Sequence, residues 1–293
     1  MLKSYFKLFR IPQWIKNFFV LVPLIFSKNL FHGDYFVTVL FGFLLFCLTS
    51  SVVYVINDII DVEADRAHPI KKSRPLASGA ISKRNALVSV YIIAIIISVS
   101  LTKFDYHFAV VLFLYFILNV FYSFYFKHIV ILDVFSIAAG FMLRVLGGAF
   151  IIHVEISSWL ILTTMFISLF LGIMKRHSEL TLRMTDDGPA QTRKVLDKYS
   201  LNFADQMATI AAAGVIICYA LYTVSSRTIS VFGTDKMIYT TPLVVFGIFR
   251  YMYLVYMNKK GENTTQIMLT DIPMIITVLS YILATVLIVY RYS

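Results

Sequence analysis

Acidic residues are scarce in this chain. There are 16 Asp and Glu against 26 Lys and Arg among 293 residues, and charged residues make up only 14%. So little charge excludes an ordinary soluble domain, in which about a quarter of residues are charged. Cysteine is nearly missing too: Cys47 and Cys218 show no CxxC or metal-type spacing, which excludes a disulfide framework and leaves them as small core residues. No low-complexity stretch or linker divides the chain, so a single domain over residues 1–293 is expected. The basic N-terminal stretch is not followed by a small-residue cleavage site, so no cleaved signal is expected. The formal net charge of +10 comes with no recognisable nucleic-acid module, which excludes nucleic acid as a partner.

What is abundant is apolar surface: 59% hydrophobic residues and a mean hydropathy of +0.80. A hydrocarbon core needs about 20 mostly apolar residues per helix. Nine such runs are bounded by charge: Pro12 to Ser27, Tyr35 to Ile56, Asn85 to Leu101, Tyr106 to Phe124, Val130 to Ile152, Ile156 to Met174, Phe203 to Ser225, Ile238 to Met257 and Ile272 to Tyr290. Membrane β-strands are shorter and alternate in polarity. The expected fold class is therefore an all-α integral membrane bundle of nine transmembrane helices. With a cytoplasmic N-terminus, most of the 26 Lys and Arg fall on the cytoplasmic side, leaving Lys28, Lys103, Arg227, Lys236 and Arg291 opposite. That asymmetry predicts a multi-pass plasma-membrane protein with its N-terminus in the cytoplasm. Its basic face would attract anionic lipid heads and phosphorylated substrates.

The second run ends in "VYVINDIIDVEADRAHPIKKSRPLASG", Val53 to Gly79. On a helix Asn57, Asp61 and Asp65 share a face with Asp58, while Glu63 points elsewhere. Carboxylates converging at the end of a span repel one another and call for a positive group. Mg²⁺ suits them, because it takes oxygen ligands and combines one or two carboxylates with substrate phosphates. The following Lys71, Lys72 and Arg74, with Pro69 and Pro75 bending the chain near His68, are placed to hold the far end of a diphosphate. The competing reading is a solvated helix end with ordinary charged decoration.

A second constellation lies in "YSFYFKHIVILDVFSIAAGFMLRVLGG", from Tyr122 to Gly148. Lys127 and Asp133 flank a short turn expected at the same membrane face. Arg144, about 16 Å further along a helix, falls near mid-membrane, where it needs a partner or ligand. A phosphate, a carboxylate or backbone carbonyls would each serve. Gly147 and Gly148 permit close helix packing. The sixth run exits into "GIMKRHSEL", placing Lys175 and Arg176 at the cytoplasmic face, with His177 read as an interfacial polar residue. Arg250 lies near enough to a span end to snorkel. No Ser-His-Asp or Cys-His set is evident at the proposed face. The 26 Phe and 18 Tyr suit lipid contact and an apolar groove equally.

The motif "NDIIDVEAD" resembles the NDxxDxxxD signature of the UbiA-type intramembrane prenyltransferase superfamily, whose members have nine transmembrane helices and a cytoplasm-facing Mg²⁺-diphosphate site. The resemblance covers nearly the whole chain. It implies that Asn57, Asp58, Asp61 and Asp65 form the first metal-diphosphate motif, with Lys127 and Asp133 in the second. Ser136 and Ile137 follow Asp133 where the superfamily commonly has another Asp, which weakens the case for a second full metal site. "DVEADRAHPIKKSRP", "KHIVILDVFSIAAGFMLR" and "KRHSEL" are similar to the decaprenyl-phosphate phosphoribosyltransferase branch. That branch implies an enzyme moving phosphoribose from 5-phosphoribosyl 1-diphosphate to a polyprenyl phosphate. Asp58, Asp61, Asp65 and Asp133 are then the expected catalytic carboxylates, and Asn57, Lys71, Lys72, Arg74, Tyr122, Lys127, Arg144, Lys175 and Arg176 the substrate-binding set. The rival is an aromatic prenyltransferase using an isoprenyl diphosphate, which calls for a less cationic, more aromatic cavity. An ion transporter would need polar residues through the depth of several spans, whereas here the acidic residues lie almost entirely at span ends.

Overall fold

The computed structural model describes residues 2–67, 71–184, 194–258 and 270–291, which form helices and connecting turns without strands. In chain order the helices are α1 (Leu2–Leu8), a 3-10 segment (Ile11–Leu21), α2 (Val22–Phe26), α3 (Gly33–Ile60), α4 (Val62–Ala67), α5 (Lys83–Leu101), α6 (Tyr106–Phe124) and α7 (Leu132–Ile151). They continue with α8 (Ser158–Met184), α9 (Leu201–Val224), α10 (Ser226–Phe232), α11 (Thr241–Asn258) and α12 (Ile272–Arg291). Eight of the described helices are long and apolar enough to cross a membrane, and Ile11–Phe26 is a shorter apolar stretch. This is a multi-pass membrane protein. Against the expected nine long α-helices, the first run differs: Pro12 and Pro23 lack backbone N–H donors, and most of that run winds as a 3-10 helix. The sixth differs as well, since α8 continues past Lys175 and Arg176 to Met184. Charge marks where a helix meets water or finds a partner, not where its backbone hydrogen bonds end.

The chain divides into two compact units. The first comprises Met1–Ile25, Asn29–Phe124 and Leu143–Glu155, and the second Phe26–Lys28, Tyr125–Met142 and Ile156–Ser293. In the first, Val20, Phe43, Phe46, Phe108, Leu112, Tyr115 and Ile151 form a buried core. Residues three apart eclipse on a 3-10 helix, so Trp14, Asn17 and Val20 form one row. Trp14 Nε1 donates to Ser51 Oγ at 3.0 Å, Asn17 Nδ2 to Cys47 Sγ at 3.2 Å, and Val20 is fully buried. Gly148 is required by this row: a Cβ there would lie 2.0 Å from the Val20 carbonyl oxygen. At Gly147 a Cβ would meet the Phe46 ring at 2.7 Å, so the glycine pair does permit close packing.

In the second unit α8 and α9 bury Phe170, Met174, Ala204, Ala208, Ala211 and Val215. Ser200 caps α9, its Oγ accepting from the Phe203 N–H at 3.1 Å. Apolar side chains left exposed, such as Leu87, Tyr91, Ile95 and Val99 on α5, follow one helical stripe and suit lipid.

Candidate active site

The first acidic centre is built at the end of α3. Asn57 and Asp58 lie in its last turn, Asp61 caps it, and α4 restarts at Val62. Backbone bonds carry across the junction, from Asp61 N–H to the Asn57 carbonyl (2.9 Å) and from Asp65 N–H to the Asp61 carbonyl (2.8 Å). The expected single face is divided in two. Asp58 and Asp65, each 3% exposed, both reach Arg74: its Nη1 lies 3.1 Å from Asp58 Oδ1 and 2.6 Å from Asp65 Oδ2. Asp61 instead accepts from Asn57 Nδ2 at 3.1 Å. Glu63 points away, as its spacing predicts, and pairs with Arg66 and Lys83 in solvent. Arg74 is aimed by the 3-10 turn Lys71–Ser73, its N–H donating to the Lys71 carbonyl at 2.9 Å, and Lys71 and Lys72 are exposed on that turn. His68 and Pro69 lie outside the described residues.

Sequence reasoning missed Arg10. Its Nη2 donates to Asp58 Oδ1 at 2.5 Å, and its guanidinium lies 4.6 Å from the centre of the Tyr54 ring. Among the described residues no group of three or more His, Cys, Asp or Glu is assembled to hold a metal ion as it stands. The donor set nevertheless fits Mg²⁺: the side-chain donors are hard oxygens, and two buried carboxylates already converge on one cationic nitrogen.

The second acidic centre is closed. Asp133, with no exposed surface, accepts from Arg176 Nε at 2.7 Å on Oδ2 and from the Tyr199 hydroxyl at 2.8 Å on Oδ1. Arg176 is 1% exposed and also donates through Nη1 to Glu179 Oε2 at 2.5 Å, one helical turn on. Tyr199 in turn accepts from the Ile131 N–H at 2.9 Å. That bond helps hold Ile131 at φ 72°, an unusual conformation for a β-branched residue. Burial pushes the Tyr199 phenol up, and donation to Asp133 adds to the shift, so the hydroxyl keeps its proton and remains the donor.

Arg144 is 7% exposed. Its Nε donates to Asn17 Oδ1 and its Nη2 to the Tyr115 hydroxyl, each at 2.7 Å, and its guanidinium lies 4.7 Å from the Tyr115 ring centre. These two partners, the carbonyl oxygen of a side-chain amide and a phenol, are both neutral. Among the other expected residues, Tyr122 lies near the end of α6, Lys127 in the 3-10 turn Phe126–His128, and Lys175 on α8; all three are half-buried. His177 is buried instead of interfacial, with Nε2 3.3 Å from Asp205 Oδ1 and its ring against Tyr256. Arg250 does not merely snorkel: it makes a two-pronged pair with Asp271 at 3.0 and 2.8 Å.

The model of the UbiA prenyltransferase family matches residues 18–289. A protein of Corynebacterium glutamicum named decaprenyl-phosphate phosphoribosyltransferase is 36% identical over 220 residues, covering 74% of this chain and 66% of its own length. This chain thus spans just under two thirds of that relative. A protein of the same name from Mycolicibacterium smegmatis is 34% identical over 223 residues, covering 75% of this chain and 70% of its own length. Among solved structures, a UbiA homologue from Archaeoglobus fulgidus bound to DMAPP and Mg²⁺ superposes with a TM-score of 0.71 at 18% identity, over 98% of this chain and 99% of that one, which shows a shared fold.

Proposed function

The chain belongs to the UbiA prenyltransferase family, and on that premise we propose that it transfers a 5-phosphoribosyl group from 5-phosphoribosyl 1-diphosphate to a polyprenyl phosphate, releasing diphosphate. The observation that carries this reading is the convergence of Asp58 and Asp65 on one Arg74 nitrogen. It is a site built for a charge set of carboxylate, cation and phosphate. The names of the two relatives supply the transferred phosphoribosyl group and the lipid phosphate acceptor, and the carboxylate-and-arginine site supports a diphosphate as the donor's leaving group.

In this reading Asn57, Asp58, Asp61 and Asp65 hold Mg²⁺, which when bound neutralises the departing diphosphate. Arg74, Lys71 and Lys72 take up phosphate oxygens once the carboxylates are engaged, Arg74 as a planar fork and the lysines as point charges. The C1–O bond to diphosphate breaks and an oxygen of the lipid phosphate bonds to C1. The acceptor is already an anion, so no general base is required. Arg144 and Tyr122 in the first unit, and Lys127, Lys175 and Arg176 in the second, are the candidates for holding the acceptor phosphate or the ribose 5-phosphate, each within its own unit. Asp133 acts through Arg176, fixing its guanidinium.

Residues 1–293 form one domain in this proposal, in the plasma membrane, with the N-terminus and the active face on the cytoplasmic side. Ile11–Phe26 supplies a ninth crossing. A 3-10 helix rises about 2.0 Å per residue, so this stretch reaches about 30 Å, close to the hydrocarbon thickness.

The test is an assay of the full chain in nanodiscs with Mg²⁺, polyprenyl phosphate and labelled phosphoribosyl diphosphate, followed by lipid extraction. Label in the lipid that is lost with Asp58→Asn supports the proposal. An unlabelled lipid, with consumption of an isoprenyl diphosphate and an aromatic acceptor instead, rejects it.

A further inference from the structure

We propose that Arg10 makes metal binding at Asp58 conditional on the arrival of a diphosphate, competing with the metal for the carboxylate and then turning to the phosphate oxygens. The inference rests on the diphosphate-donor reading above, and it concerns a residue that the motif does not contain.

Arg10 is held in place. It lies between α1 and the 3-10 segment at φ 49°, ψ 45°, a left-handed conformation that strains any residue with a side chain. The chain is pinned on both sides of it. Ser51 Oγ donates to the Phe9 carbonyl at 2.8 Å and accepts from Trp14 Nε1 at 3.0 Å, while the Gln13 N–H donates to the Arg10 carbonyl at 2.8 Å. The left-handed turn, together with the Tyr54 ring, directs the guanidinium onto Asp58 Oδ1.

Counting charge then gives the coupling. Asp58 and Asp65 carry two negative charges, and Arg10 and Arg74 carry two positive ones, with Asp58 Oδ1 accepting from both arginines. This hydrogen-bonded set is balanced, and Asp61 beside it adds one further negative charge. A divalent cation arriving alone must displace a guanidinium from Asp58 and leaves the site, Asp61 included, with an excess positive charge. A divalent cation arriving with diphosphate brings the anion that the displaced guanidinium needs. Arg10 and Arg74 are each 27% exposed at the side chain, so either can swing without opening the core. By linkage, the diphosphate tightens the metal and the metal tightens the diphosphate by the same factor.

The experiment measures Mn²⁺ binding to the full chain in nanodiscs by electron paramagnetic resonance, with and without inorganic diphosphate, counting the Mn²⁺–diphosphate complex formed in solution. In the unsubstituted protein diphosphate should tighten Mn²⁺ at least tenfold. With Arg10→Gln, Mn²⁺ alone should bind roughly tenfold more tightly and the enhancement by diphosphate should fall by a similar factor, the size expected for one charge-assisted hydrogen bond. Arg10→Lys, which keeps the charge, should restore most of the coupling. The proposal is overturned if Arg10→Gln leaves both quantities unchanged, or if it weakens Mn²⁺ alone, which is the result of a purely structural contact. Because the probe is inorganic diphosphate, failure to label lipid with phosphoribose strikes the choice of donor and leaves this result standing.

Discussion

The two acidic centres use the same chemistry to opposite ends. At Asp58 and Asp65 the carboxylates are buried, but their cations, Arg10 and Arg74, come from turns and retain access to solvent. At Asp133 acid and cation are both sealed on membrane-spanning helices, and a tyrosine occupies the remaining carboxylate oxygen. A cation that can leave makes a site that exchanges partners; one that cannot keeps its carboxylate and presents a fixed charge. The difference lies in where the arginine is anchored, since the carboxylates are almost equally buried.

The strongest way to break this contrast is Asp133→Asn. It removes the buried counter-charge of Arg176, and should cost about 3 kcal/mol of stability, the low end for a broken buried pair. Thermal unfolding in nanodiscs measures it. Asp133→Leu combined with Arg176→Met should recover most of the loss in stability while abolishing transfer, whereas a stable double variant that still transfers would leave the pair a strut and nothing more. Asp58→Asn should do the reverse: transfer falls roughly 100-fold, about 2.7 kcal/mol in the barrier, with little change in unfolding temperature. Chelation of Mg²⁺ should reproduce that loss in the unsubstituted protein.

Tyr199→Phe sharpens the comparison from the closed side. Removing the hydroxyl leaves an Asp133 oxygen and the Ile131 N–H unsatisfied and should cost about 1–3 kcal/mol. It also predicts a pH dependence. The folded phenol ionises above its ordinary 10.0, mainly because it is buried. The folded state therefore holds the proton longer, and this contribution is present below pH 10 and declines as pH rises beyond it. The unsubstituted protein should lose stability above pH 10 more steeply than the Phe variant, and parallel curves would count against the assignment. Last, Glu63→Gln, on the solvated side of the first centre, should change stability by less than about 0.5 kcal/mol and leave transfer intact.

The sequence made the first centre legible because its members are local. Asp58, Asp65 and Arg74 fall within one helix end and the turn that follows, where spacing governs geometry. Arg10 was not legible: it lies 48 positions from Asp58, and only the tertiary path of the chain brings the two together. Tyr199, 66 positions from Asp133, is the same case. Uniform apolarity located Tyr106–Phe124 to the residue, because Asp105 and the turn at Tyr125 bound it. The end of α8 was misread because Arg176 carries its own neutralising partners into the helix. The first span was expected to be α-helical because hydropathy counts apolar residues and does not register how the backbone winds.

The row of Trp14, Asn17 and Val20 has a consequence for how this chain can vary in length. On an α-helix, changes of seven residues roughly preserve a packing face. On this 3-10 segment the face repeats every three, and each repeat advances about 6 Å. Insertions or deletions in threes would slide the row like teeth along a rack, keeping a side chain opposite Ser51. A change of one or two residues would turn the row away from α3 and carry Asn17 off Arg144. Related chains of different length should therefore differ here in multiples of three.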